Sequence, residues 1–347
     1  MRKMILNIKA WCLLMAGMVL GNTLNAQDIH FSQFYEAPLL RNPSLAGIYT
    51  GDVRAQMLLR DQWNSVTNAY KTGSLNAEYK MQVGKGDDFM TTGIQMLFDK
   101  AGTVGLTSTH ILPAFNYHKS LSDEKIMYLS AGFMGGLVRK SFDISKMATD
   151  DQWNGGEHDP SLPSGETFGA PNFNTWDASV GVSFNTSFGE QEKNTMFVGA
   201  AFHHLNRPRN SFYRDENIEL HPKYVFSAGF RFKVNEFSEF TLQADHSIQG
   251  SYGYTIAGGL YSYGLGPLAD QPEVIISGGA FLRWQDALIP VLKIDKKPVS
   301  VSISYDINVS PLKTASLGRG GIELSVSYMG FLNKDNSTLN KVLCPRF

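Results

Sequence analysis

Between residues 51 and 331, apolar and polar side chains take turns along the chain, and few folds can use such a pattern. In "VSVSISYDINV" (299–309), Val299, Val301, Ile303, Tyr305, Ile307 and Val309 alternate with Ser300, Ser302, Ser304, Asp306 and Asn308. In "NTWDASVGVSFNTSF" (174–188), Trp176, Ala178, Val180, Val182, Phe184 and Phe188 share one face, and Asp177, Ser179, Gly181, Ser183, Asn185 and Ser187 the other. "GIELSVSYMGF" (321–331) sets Ile322, Leu324, Val326 and Tyr328 against Glu323, Ser325 and Ser327. Successive side chains of a strand point to opposite faces, so this period marks a sheet whose two faces meet different surroundings. A helix would need apolar residues at three-and-four spacing, which these stretches lack.

A soluble β-sandwich also alternates. Two features favour a membrane barrel instead. The alternating segments run about ten residues or more, the length a tilted strand needs to cross a bilayer. Aromatics stand near segment ends, at Tyr70, Tyr128, Trp176, Phe188, Phe197, Tyr224, Trp284 and Tyr328, where an interfacial girdle belongs. Strands are predicted at 51–62, 69–82, 89–100, 105–119, 124–140, 173–189, 194–206, 223–234, 237–250, 253–263, 272–284, 287–294, 298–309 and 319–331. Pro290 weakens the twelfth of these, because proline cannot donate to a ladder. The count is about fourteen, and an even number is usual for single-chain bacterial barrels. The long connections, 141–172, 207–222 and 310–318, all fall at odd-numbered positions, and "VGKGDD", "SLSDEK", "GEQEK", "NEF" and "DKK" at even ones. Barrels of this type have short periplasmic turns and longer outer loops. The parity therefore predicts an integral outer-membrane barrel with both termini in the periplasm.

The N-terminus carries Arg2, Lys3 and Lys9, a short apolar core "AWCLLMAGMVLG" and then "NTLNAQ". That is the form of a secretory signal, with cleavage expected after Ala26. Residues 1–26 are accordingly read as a signal peptide, 27–50 as a separate segment, 51–331 as the barrel and 332–347 as a periplasmic tail. Only Cys344 then remains in the mature chain, so no internal disulfide is available. Segment 27–50 contains "DIHFSQFYEAPLLRNPSLAG" (28–47), whose Pro38 and Pro43 exclude it from a ladder. Ser32 is expected to cap a short helical turn through Leu39, with "RNPS" ending it. Phe31, Phe34, Tyr35 and Leu39 need burial, so the segment is expected to plug the lumen or its periplasmic mouth.

The polar face of the strands would line the lumen with Arg54, Arg60, Glu78, Lys80, Asp177, Arg231, Lys233, Asp245, Asp306 and Glu323. A selective pore favours a ring of one sign. A mixed set favours a packed interior whose charges pair with each other or with the plug. The net charge of −1 provides no basic surface for nucleic acid. The loop "DDQWNGGEHDP" groups Asp150, Asp151, Glu157, His158 and Asp159 without the spacing of a calcium motif, and a solvated acidic loop is the plainer reading. "DQWN" occurs at 61–64 and again at 151–154; a shared partner contact and chance recurrence both account for it. His203 and His204 occupy consecutive positions and are expected on opposite faces, where they cannot share a metal. No nucleophile elbow, zinc helix or phosphate loop is present. No enzyme, cofactor or metal site is therefore expected.

"HFSQFYEAPLLRNPSLAG", "LLRDQW" (58–63) and the terminal "CPRF" (344–347) resemble the PorP/SprF family of the Bacteroidetes type IX secretion and gliding machinery. The resemblance spans essentially the whole mature chain. It implies an outer-membrane barrel related to the fatty-acid-transporter type, lodged in outer-membrane lipid. It also implies a role in secreting or anchoring a large surface cargo that carries a C-terminal sorting domain, together with other type IX components. The family motif falls here on Phe31, Ser32, Gln33, Arg41, Asn42, Pro43, Arg60, Trp63, Cys344, Pro345 and Arg346. The tail would contact an inner component or pack into the lumen beside Arg41. Trp153, Phe168, Phe212 and Tyr213, in the two longest outer loops, are the expected partner anchors, since exposed aromatics often are. A carrier of hydrophobic small molecules and a structural tie to a periplasmic ring are the rival readings.

Overall fold

The computed structural model describes residues 28–62, 70–84, 86–159, 161–166, 170–189, 193–268, 272–310 and 318–332. Among them are fourteen strands in a closed barrel. They are β1 (Val53–Gln62), β2 (Tyr70–Gln82), β3 (Phe89–Ala101), β4 (Leu106–Ser120), β5 (Met127–Ser141), β6 (Asn172–Phe188), β7 (Asn194–His203), β8 (Lys223–Lys233), β9 (Ser238–Gln249), β10 (Tyr252–Leu265), β11 (Val274–Arg283), β12 (Ala287–Lys296), β13 (Val299–Asn308) and β14 (Arg319–Gly330). Each pairs antiparallel with its chain neighbours. β1 and β14 close the ring from Val53↔Gly330 to Gln62↔Gly321. Closure leaves no strand edge unpaired, which a bilayer requires.

The alternation divides the two faces as expected. Leu59, Phe115, Leu129, Phe133, Leu292, Ile303 and Leu324 are exposed outward, whereas Ser74, Asn76, Gln95, Asn116, Ser302, Asp306 and Glu323 are buried inside. Three of the expected girdle aromatics are not on the lipid face: Tyr70 stands on the inward face of β2 with Thr72 and Ser74. Tyr128 and Phe197 are buried in the lumen, Tyr128 edge-on to Phe89 and Phe197 beneath Arg41. Over 127–138 of β5 and 196–202 of β7 both faces are mostly small or apolar, so the pattern carries little contrast to set its phase. Pro290 does not interrupt β12. The β12–β13 ladder passes from Leu288↔Ile307 to Val291↔Ser304 without a change of register, so the missing donor leaves only a local gap.

Two ends can be distinguished. Connections 142–171, 204–222 and 309–318 lie at the long-loop end. The turns 83–88, 121–126, 234–237 and 297–298 lie at the other, the short-turn end.

Candidate functional site

Residues 28–50 run through the lumen as a strap. The chain makes a 3-10 turn (Phe34–Glu36), one α-turn (Pro38–Arg41) and a second 3-10 turn (Pro43–Leu45). No single helical run from Ser32 to Leu39 forms, because Ser32 is engaged with the wall. Its backbone amide and that of Gln33 each donate to the Glu323 carboxylate at 2.7 Å, and its hydroxyl donates to Asp306 at 2.8 Å. Asn42 does the capping instead, its Oδ1 accepting from the Ser44 amide at 2.9 Å.

The strap spans the barrel from end to end. Its C-terminal side joins β1 at the short-turn end, where the Asp52 amide donates to the Gly330 carbonyl at 2.8 Å. Its N-terminal side reaches the long-loop end. There the Asp28 carboxylate lies 3.1 Å from Lys223 Nζ and 3.5 Å from His204 Nε2, and its amide donates to Gln249 Oε1 at 3.1 Å. The last described residue, Leu332, donates from its amide to Asp52 at 2.8 Å at the short-turn end. The described chain therefore starts and stops at opposite ends of the barrel. Strand parity fixes where β1 begins, but the strap then crosses the whole lumen; the termini themselves lie outside the described residues.

The wall meets the strap charge by charge. Arg60 lies 3.3 Å from both Asp306 and Glu323 and donates to the His30 carbonyl at 2.8 Å. Arg283 donates to Asp306 at 2.9 Å and to the Ser32 hydroxyl at 3.1 Å. Glu36 pairs with Lys293 at 2.7 Å. Arg41 pairs with Asp245 at 2.6 Å, donates to Gln243 at 2.6 Å, and lies between the rings of Phe34 and Phe197, 4.8 and 4.9 Å from their centres. Further along, the wall serves the strap's backbone. Asn116 donates to the carbonyls of Ser44 and Ala46 at 2.6 and 3.0 Å, and Lys80 to those of Gly47 and Tyr49 at 3.2 and 2.6 Å. Every charge moved out of water here has a partner, without which its burial would be prohibitive. Among these charges β10 to β12 also present an apolar patch: Phe34 packs with Ile256, Leu260, Phe281 and Ile289.

A trough of glycines receives Asn42, Pro43 and Ser44. A Cβ on Gly181 would lie 1.9 Å from Asn42 Oδ1, one on Gly132 2.5 Å from the Pro43 carbonyl carbon, and one on Gly199 2.9 Å from Asn42 Nδ2. Gly132 and Gly181 are cross-strand partners. Sequence reasoning missed all three, and missed Lys223 and Lys293 as strap partners. The available signal was the run of small residues on the inward faces of β5 and β6.

His203 and His204 are both buried, contrary to their expected opposite faces. β7 ends at His203, and His204 adopts φ 58°, a left-handed conformation costing about 1–2 kcal/mol for a residue with a Cβ. That turn brings its imidazole inward, with Nδ1 2.9 Å from Asp177. Burial opposes its charge, but the carboxylates of Asp177 and Asp28 outweigh it and push the His204 imidazole up to about 9. Among the described residues no group of three or more His, Cys, Asp or Glu is placed to hold a metal ion.

Phe31, Ser32, Gln33, Arg41, Asn42, Pro43 and Arg60 all meet in this buried strap contact. Trp63, Phe168, Cys344, Pro345 and Arg346 lie outside the described residues. The loop aromatics divide. Trp153 is 56% exposed on a tight turn closed by its bridge to His158. Tyr213 is 54% exposed, its hydroxyl 3.1 Å from Glu166. Phe212 is instead half-buried between the rings of Phe142 and Phe173, at 4.7 and 4.9 Å, and joins loop 142–171 to loop 204–222.

A closed antiparallel ring with an apolar outer face and a polar interior filled by its own chain defines a membrane β-barrel of the outer-membrane type. Its sequence then gives the family: the model described as type IX secretion system membrane protein PorP/SprF matches residues 23–328, and the chain belongs to that family. Comparison with curated proteins produced no match. Among solved structures it is similar to the toluene transporter TbuX of Ralstonia pickettii, at 8% identity over 84% of this chain and 92% of that one, with a TM-score of 0.49. It is also similar to a Pseudomonas aeruginosa FadL homologue, at 10% identity over 84% and 94%, with a TM-score of 0.48.

Proposed function

We propose that this type IX secretion barrel works in the outer membrane by docking rather than by catalysis or conduction. In this reading it receives and anchors a large secreted surface protein through that protein's C-terminal sorting domain. The long-loop end faces outward and presents Trp153 and Tyr213 on loops 142–171 and 204–222. The short-turn end and the chain's C-terminal tail face other components of the secretion machine. The observation that carries the reading is the filled lumen. With a strap hydrogen-bonded from one end to the other, the barrel's own interior is a poor route for a protein, and the exposed loops and turns are left to do the work. The serine- and charge-lined wall from β13 to β2 is likewise a poor path for a hydrophobic compound.

The test is affinity purification of the tagged full-length barrel from its native outer membrane, with mass spectrometry of what accompanies it. A stoichiometric surface protein is expected, lost when its C-terminal sorting domain is removed and lost again when 142–171 is deleted from a barrel that still folds. Recovery of periplasmic components alone, or a barrel that arrives alone with lipid-like molecules, would overturn the docking role.

A further inference from the structure

The first described residue of the strap touches both ends of one outer loop. Loop 204–222 begins at His204, directly after β7, and ends against Lys223, the first residue of β8. The Asp28 carboxylate meets both, at 3.5 Å and 3.1 Å. Gln249, which accepts from the Asp28 amide, also donates to the His221 carbonyl at 3.1 Å. A single strap residue thus meets two positions at the base of the loop directly and a third, His221, through Gln249.

The backbone at His204 is a second, independent observation. Continued strand alternation would place its ring on the lipid face. The left-handed φ of 58° turns it inward to Asp28 and Asp177. Strain of this kind persists only where surrounding contacts over-determine it, and it concentrates at switches and clamps. The loop, in turn, is fastened to its neighbour. Phe212 packs on Phe142 and Phe173, its carbonyl accepts from the Ala170 amide at 3.3 Å, and Lys140 donates to Asn210 at 2.8 Å. What moves the base of 204–222 therefore moves the loop pair.

We infer that Asp28 is a clasp that fastens the base of loop 204–222 from inside the lumen, so that the position of the strap and the setting of the outer loops are linked. The strap is covalently held at the short-turn end and ion-paired at the long-loop end, which makes it a tie between the two faces of the barrel. A partner that reorders the loops alters the hold on the strap, and a shift of the strap alters the loops, because coupling between two sites is reciprocal. That the loops face a secreted partner rests on the function proposed above; the clasp does not.

Hydrogen–deuterium exchange on the full-length barrel in detergent micelles tests it, with no partner present. Asp28→Asn should speed exchange in peptides covering 204–222 by about tenfold, a local opening, while strand peptides keep their protection. Lys223→Gln, cut from the loop side, should speed exchange both in the loop and in strap amides 29–33. It decides the matter if Asp28→Asn fails to fold. Unchanged loop exchange in a folded variant overturns the clasp, and so does acceleration spread evenly over every strand. A purified barrel that brings no secreted partner, but whose loop exchange accelerates in Asp28→Asn, would count against the docking role and leave the clasp standing.

Discussion

The two halves of the strap are held in different ways. From Asp28 to Arg41 the wall grips side chains and amides with charges: Lys223, Glu323, Asp306, Lys293 and Asp245. From Asn42 to Tyr49 it grips the backbone, carbonyls through Asn116 and Lys80 and the Gly47 amide through Glu78, and makes room with glycines. The first half lies far from its covalent anchor, so only specific pairings keep it in place. The second half is tethered to β1, and backbone contacts suffice. The strap's identity therefore matters most in its first half, and the wall's in the second.

The largest effect tests the centre of this contrast. Arg41→Met should cost about 3–5 kcal/mol, because it strands the buried Asp245 carboxylate without its partner. The check is the midpoint of denaturant unfolding, with protease cleavage of the strap as a second readout. A smaller but still clear loss is expected from the wall of the second half. Gly181→Ala or Gly132→Ala should cost about 1–3 kcal/mol as the new methyl displaces Asn42 or Pro43. Gly278→Ala, which meets nothing within 4 Å, should leave the midpoint where it is; equal losses in all three would break the trough argument.

A paired serine comparison sharpens the difference between halves. Ser32→Ala removes a hydroxyl bonded to the Asp306 carboxylate and should cost about 1.5–3 kcal/mol, whereas Ser44→Ala removes one bonded to the Asn42 amide and should cost about 1 kcal/mol. Reversal of that order would mean that the charged half is not the more demanding one. The smallest effect concerns pH and is confined to the long-loop end. His204 is flanked by Asp28, Asp177, Lys223 and His203, and its imidazole is raised to about 9. Its stabilising contribution is complete below about pH 6.5, the unfolded value, and disappears as pH rises through 9. Exchange at 204–222 should accelerate between pH 7 and 10, after correction for intrinsic rates, while residues 44–49 stay protected; His204→Asn should flatten that dependence.

Much of this protein could be read along the chain. In a strand the direction of each side chain is a local property, so alternation alone divided lipid-facing from lumen-facing residues, counted the strands and separated long loops from short turns. Pro38 and Pro43, beside so many aromatics, marked residues 28–47 as a segment outside the ladder that needs burial, in the lumen or across its mouth; the fold decided for the lumen. The reading failed where local contrast was missing. Tyr128 and Phe197 lie on strands with apolar or small residues on both faces, and the strap is what makes an apolar inward face useful there. It failed again where a partner is distant in sequence. Nothing near Asp28 announces Lys223, nothing near Arg41 announces Asp245, and a left-handed turn at His204 has no local signature. Those contacts exist because a ring of fourteen strands closes around a threaded segment. Closure brings residues some two hundred positions apart to within a hydrogen bond, so only the tertiary structure could decide which charge answers which, and at which end of the barrel the strap begins.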